Sequence, residues 1–273
     1  MSNKPIGLLD SGIGGLTVLK AAQAMLPDES FVYIGDSARN PYGDRTSAEI
    51  IQYTNELASF LVSQDIKMLI IACNTATALT LKQLQKDLDI PVLGVISAGS
   101  TEAIRQTQNG HIGVLATQST VDSNYYAQTI SQASPNMKIS SLACPDFVQL
   151  VESNQYESVY AATVVEKTLQ KLPDQSIDTL ILGCTHFPLL AGFIQKAVGP
   201  SVHLIDSGAL TAVNIGSRLD ALGLRTGSCN RQTITLYTTG NVSLFNKIAT
   251  KWMQSTDMKI KSIPIERLSS YVK

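Results

Sequence analysis

Apolar runs of strand length alternate along this chain with stretches whose apolar residues recur at helical spacing. The runs 6–9, 31–35, 68–72, 92–95, 112–116, 139–142, 179–182 and 203–205 read as buried strands, followed by two late ones at 233–238 and 260–264. Between them, 16–25, 47–63, 77–88, 97–107, 124–133, 159–172, 189–197, 209–222 and 244–253 carry the helical pattern. Apolar strands separated by amphipathic helices are the signature of βαβ units, so the pattern predicts an α/β fold built on mainly parallel sheet.

The pattern also repeats. Ile66-Lys67-Met68-Leu69-Ile70-Ile71-Ala72-Cys73-Asn74-Thr75 matches Ile177-Asp178-Thr179-Leu180-Ile181-Leu182-Gly183-Cys184-Thr185-His186, an apolar strand ending in Cys each time, the two cysteines 111 residues apart. Ile6-Gly7-Leu8-Leu9-Asp10-Ser11 is echoed by Ile112-Gly113-Val114-Leu115-Ala116-Thr117, and Val92-Leu93-Gly94-Val95 by His203-Leu204-Ile205-Asp206. These echoes predict two pseudo-symmetric domains, each a mainly parallel sheet flanked by helices. One spans 1–97 and regains the tail 207–273, and the other spans 98–206. Ligands collect outside the carboxyl ends of parallel strands. Cys73, Cys184, Asp10 and Thr117 all fall at such ends, so the halves are expected to face each other across one cleft.

Composition narrows the class. A chain of 273 residues with 44% apolar and 16% charged residues fits a soluble globular enzyme with extensive buried sheet. A net charge of −1 and no concentration of Lys or Arg leave no footprint for nucleic acid. The apolar runs fall well short of the roughly 20 residues a bilayer span needs, and Met1-Ser2-Asn3-Lys4-Pro5 runs straight into a strand, with no room for a signal peptide. Cys73, Cys144, Cys184 and Cys229 form no CxxC pair and no dense disulfide framework. A reducing cytoplasmic compartment is expected, in which the Asn241-Val242-Ser243 sequon is silent.

Two thiols facing one cleft can remove a proton from one face of a carbon and return one on the other, which makes the chain a candidate racemase. A lone Cys at a strand end is ordinarily a small buried hydrophobe; two in matching frames ask for more, whereas Cys144 and Cys229 have no such frame and read as structural. A free thiol has a pKa near 8.5 and is roughly 3% thiolate at pH 7. Helix-start signals after both cysteines predict that helix N-termini lower it. Asp10 opens the loop Asp10-Ser11-Gly12-Ile13-Gly14-Gly15, whose N–H groups could cradle a carboxylate. It is not a dinucleotide fingerprint, because Thr17 stands where a third glycine is needed, and no GK[ST] tripeptide occurs. By position alone Asp10 reads equally as catalyst or as N-cap of the next helix. His186, two residues past Cys184, is within reach of orienting or protonating that thiol or of binding a carboxylate, while His111 and His203 begin strands and face solvent. Ligand spacing for zinc is missing, so no metal is expected, and no lysine in either cysteine loop suggests a pyridoxal Schiff base. Asn40-Pro41-Tyr42-Gly43-Asp44 has turn chemistry and reads as a cleft lid with Tyr42 as donor. Glu152 carries no signal beyond that of a solvated helix position.

Taken together, Asp10-Ser11-Gly12-Ile13-Gly14-Gly15-Leu16, Pro41-Tyr42-Gly43, Ala72-Cys73-Asn74-Thr75-Ala76 and Leu182-Gly183-Cys184-Thr185-His186-Phe187-Pro188 resemble the glutamate racemases, in order along the whole chain and without departure at any motif position. The resemblance implies cofactor-independent interconversion of L- and D-glutamate, with D-glutamate supplied to bacterial peptidoglycan. It implies Cys73 and Cys184 as proton acceptor and donor exchanging roles with direction, Asp10 assisting Cys73, and His186 with Glu152 assisting Cys184. The implied substrate contacts are Asp10, Ser11, Tyr42, Gly43, Asn74, Thr75, Thr117, Thr120, Thr185 and His186, and the implied assembly is a homodimer. Rival readings are an aspartate racemase of the same architecture, a thiol redox protein switching Cys73 against Cys184, and a carboxylate-binding module without catalysis.

Overall fold

The apolar runs do become strands, and every strand pair among the described residues is parallel. The computed structural model describes residues 1–227 and 232–272, so Cys229 lies outside the described residues. In chain order the elements are β1 (Ile6–Asp10), α1 (Leu16–Met25), β2 (Phe31–Gly35), α2 (Ser47–Ser63), β3 (Met68–Ile71), α3 (Asn74–Asp87), β4 (Val92–Gly94), α4 (Ile96–Gln106), β5 (His111–Ala116), α5 (Gln118–Asp122), α6 (Tyr125–Ala133) and β6 (Lys138–Ala143). They continue with α7 (Pro145–Glu152), α8 (Val159–Leu169), β7 (Thr179–Gly183), α9 (Ala191–Val198), β8 (His203–Asp206), α10 (Ser207–Ala221), β9 (Ile234–Thr238), α11 (Val242–Met253), β10 (Lys259–Ser262) and α12 (Ile265–Leu268).

Two sheets result, ordered β10-β9-β2-β1-β3-β4 and β6-β5-β7-β8. Laying β2-β1-β3-β4 over β6-β5-β7-β8 matches three of the four strands with their sequence echoes, β1 with β5, β3 with β7 and β4 with β8. The two tail strands extend the first sheet past β2, with Phe31 in register with Ile234. Every residue of β1, β2, β3 and β7 is buried, as expected for strands covered by helices on both faces.

Local chemistry sets the helix starts. Thr46 and Glu49 close a capping box on α2, and the Asp206 carboxylate accepts from the Gly208 and Ala209 N–H groups at the head of α10. α10 packs on both α1 and α4, bringing the two sheets together. One buried apolar cluster therefore runs from Leu8, Tyr33 and Ile70 of the first sheet to Leu115, Leu180 and Phe187 of the second. At the opposite end from the cysteines, buried Lys67 pairs with Glu29 at 2.6 Å and donates to the Ser2 and Leu224 carbonyls, pinning the N-terminal segment and the segment after α10 beside β3. Among the described residues no helix is long and apolar enough to cross a membrane.

Candidate active site

β1 and β3 are neighbours, so Asp10 and Cys73 emerge side by side from the first sheet; β5 and β7 bring out Thr117 and Cys184 from the second in the same way. Cys73 is the N-cap of α3: its sulfur accepts from the Ala76 N–H at 3.5 Å, and its S–H donates to Ser11 Oγ at 3.7 Å. The expected lowering of its pKa does not occur. Burial, reinforced by the Asp10 charge, pushes the thiol up to about 12, and the Ala76 N–H and Ser11 pull the other way without winning.

The frame around Cys184 differs. A single 3₁₀ turn (Phe187–Leu190) follows it, and α9 starts only at Ala191. Its sulfur meets a side chain instead: His186 Nδ1 at 3.5 Å, with His186 Nε2 held 2.7 Å from Glu152 Oε1. Burial would push the His186 pKa down, but contact with Cys184 and with Glu152 overcomes it and raises it well above the usual histidine value. An imidazolium thus stands between a thiol and a carboxylate. Glu152, the last residue of α7, is in place as the resemblance implied, though nothing local in the sequence marks it.

Asp10 is wholly buried and is not the cap of α1, whose N-cap is Gly15 with no side-chain bond. The Gly12 N–H turns back to Asp10 Oδ2 at 3.1 Å instead of facing outward to an anion, and Thr185 Oγ1 donates to Oδ1 at 3.4 Å. Burial raises the Asp10 pKa above the ordinary carboxylate value, against the opposing effects of the His186 charge and the Gly15 and Gly12 N–H groups. Gly14 marks where the two loops touch: a Cβ there would sit 2.3 Å from Thr185 Oγ1 and 2.8 Å from the His186 ring, so no side chain fits.

Three threonines bridge the sheets. Thr75 Oγ1 at the head of α3 lies 2.9 Å from Thr117 Oγ1 and 3.1 Å from Thr120 Oγ1, which are 3.0 Å from each other. Tyr42, expected as a donor in the lid, lines the cavity and spends its hydroxyl proton inside the protein. Its hydroxyl, 1% exposed, donates to Asp36 Oδ2 at 2.6 Å, an oxygen that also accepts from Arg39 Nε. Burial and the Asp36 charge push its pKa well above the ordinary tyrosine value.

Both cysteines line one cavity of about 20 Å³ with Ser11, Tyr42, Gly43, Asn74, Thr75, Thr117, Thr185 and His186. That is room for about one water. Asp10, Thr120 and Glu152 stand behind this lining, bonded to it through Thr185, Thr75 and His186 respectively. Asn40, Pro41 and Asp44 of the expected lid also line it, while Gln118, Pro145, Val148 and Gln149 complete the wall and were not foreseen from the sequence. Pro145 and Gln149 belong to α7, where the Pro at the first helical position was the available signal. The arrangement can hold a small polar molecule between a sulfur partnered by Ser11 and one partnered by an imidazolium, with hydroxyls alongside.

A family model described as Asp/Glu/Hydantoin racemase matches residues 17–215. A protein named glutamate racemase from Carnobacterium sp. is 48% identical over 97% of this chain and 100% of its own. Among solved structures, glutamate racemase isoform RacE1 from Bacillus anthracis superposes with a TM-score of 0.93 at 39% identity, covering 97% of this chain and 99% of that one. The glutamate racemase from Francisella tularensis, solved in complex with D-glutamate, gives 0.90 at 34% identity, covering 99% of this chain and 100% of that one.

Proposed function

The chain belongs to the Asp/Glu/hydantoin racemase family, and we propose that it interconverts L- and D-glutamate without a cofactor by proton transfer between Cys73, Cys184 and the substrate α-carbon. The observation that carries this reading is the pair of free thiols on one cavity, each with its own partners: Ser11 and Asp10 for Cys73, His186 and Glu152 for Cys184. In the forward direction one sulfur, as thiolate, takes the α-proton and becomes a thiol. The other, as thiol, gives its proton to the opposite face and becomes a thiolate, and the reverse reaction exchanges the roles. A base on one face and an acid on the other achieve inversion, where a single base would tend to return the proton to the face it left.

The neighbours divide the work. The His186 imidazolium stabilises negative charge on Cys184 and can resupply its proton, while Glu152 holds the ring in place and keeps it charged. Asp10 lies close enough for its charge to act on Cys73 and assists proton transfer there. Ser11, Thr75, Thr117 and Thr185 bind the substrate, their donors meeting charge that grows on the α-carboxylate as the proton leaves, while Asn74 contributes to binding from the wall of the same cavity. Exclusion of water from so small a cavity strengthens each of these interactions.

Glutamate as the substrate is supported by the names and identities of the relatives. We assign the moving bodies as 1–97 with 207–273, and 98–206. We place the enzyme in the cytoplasm as a homodimer, supplying D-glutamate for peptidoglycan, on the strength of the family resemblance. The deciding experiment follows L-glutamate and L-aspartate separately by circular dichroism with no added cofactor, and solvent deuterium entering the α-carbon by mass spectrometry. Racemisation and deuterium uptake with glutamate, both lost in Cys73→Ser and Cys184→Ser, are the expected result. Preference for aspartate, or binding without exchange, would overturn the assignment.

A further inference from the structure

We propose that Tyr126, in the first turn of α6, is a positioning residue for this reaction: it spaces the two cysteine-bearing strand ends and fixes the amide of Asn74 with its oxygen available to the substrate ammonium. The inference rests on the racemase reading above. Tyr126 is 3% exposed and belongs to the half that carries Cys184. A Cβ on Gly183, the residue directly before Cys184, would lie 3.0 Å from Tyr126 Cε2, so the ring packs against that strand end. Its hydroxyl accepts from Asn74 Nδ2 at 2.7 Å, the residue directly after Cys73, and stands 3.3 Å from Ser207 Oγ. One aromatic side chain therefore touches the neighbours of both thiols.

The bond also orients an amide. Asn74 is 4% exposed and lines the thiol cavity. The bond to Tyr126 uses one of the two Nδ2–H groups and keeps the amide from flipping, so Oδ1, which only accepts, is fixed on the opposite side from that bond. Glutamate brings one strong donor near its stereocentre, the α-ammonium; its carboxylates would repel that oxygen. A buried tyrosine hydroxyl ordinarily needs some partner, but here the partner is a wall residue of the cavity, and Tyr126 sets which end of it the substrate meets.

The test compares the parent, Tyr126→Phe, Asn74→Ala and the double variant, with KM and kcat measured for both enantiomers. Turnover by the parent tests the racemase reading by itself. Phenylalanine keeps the ring and the spacing, so Tyr126→Phe should raise KM about tenfold with kcat within about twofold, the pattern of a lost ground-state contact. Because both residues act through one bond, the double variant should be no worse than Asn74→Ala alone. An unchanged KM in Tyr126→Phe, or multiplying effects in the double variant, overturns the proposal. If Tyr126→Phe does not fold, nuclear magnetic resonance of the parent decides: the Asn74 side-chain NH₂, assigned by its disappearance in Asn74→Ala, should exchange slowly with solvent. Fast exchange refutes the bond.

Discussion

The two sulfurs sit in different electrostatic surroundings, and each difference has a measurable sign. His186 holds its proton because of Glu152 and Cys184. Replacing Glu152 with Gln removes one of those causes, so the imidazolium should lose its proton at a lower pH. The alkaline limb of kcat/KM is then expected to move toward neutrality in Glu152→Gln, and an unmoved limb in a full pH profile would contradict the role given to Glu152. Cys73 works in the other sense. Its thiol titrates near 12 in the folded protein against 9.0 ordinarily. A raised pKa means stability that is whole below pH 9 and drains away as pH climbs toward 12, by up to about 1.4 kcal/mol per pH unit. Melting temperature should therefore fall more steeply above pH 9 in the parent than in Cys73→Ala; parallel curves would argue against a buried, proton-retaining thiol. The cysteines were legible in the sequence because a repeat displays them twice. Glu152 and Tyr126 were not, because their partners lie 34 and 52 positions away and no local spacing records such a contact.

Among the elements, legibility follows burial and length. Strands covered on both faces are unbroken apolar runs and could be read almost to the residue. At the sheet edge β10 is mostly exposed, so its end was read too far, past Ser262 to Pro264, which in fact caps α12. Helix α5, of five residues, is too short for a 3.6-residue period to declare itself. Helix α3 starts at Asn74 instead of 77 because its cap is Cys73, a residue no capping rule ranks highly. The Lys67–Glu29 pair is an element-level staple, tying β3 to the N-terminal segment and to the segment after α10, with both side chains at most 2% exposed. Lys67→Met leaves Glu29 charged and buried, and should destabilise by about 3–5 kcal/mol in urea unfolding. A loss below about 1 kcal/mol, the scale of an exposed pair, would show that the pair is not the anchor described here.

At the scale of the whole molecule, the duplicated four-strand order explains how one chain presents two thiols to one point. The cavity between them, about 20 Å³, is too small for glutamate, so its walls must move apart for each molecule that enters or leaves. Cys73 and Cys184, 5% and 7% exposed, should accordingly react with a thiol reagent at a rate that stops rising with reagent concentration, and saturating glutamate should slow it further. A rate that keeps climbing linearly, unaffected by glutamate, would indicate a permanently open cleft. The triangle of Thr75, Thr117 and Thr120 adds a constraint on that parting. Three hydroxyls own three protons, and a closed ring uses all of them on its own three edges. An arriving carboxylate can be given a proton from this ring only if an edge opens. Two of the three edges join one half to the other, so a proton drawn from either of them holds the substrate and loosens the grip between the halves in one event.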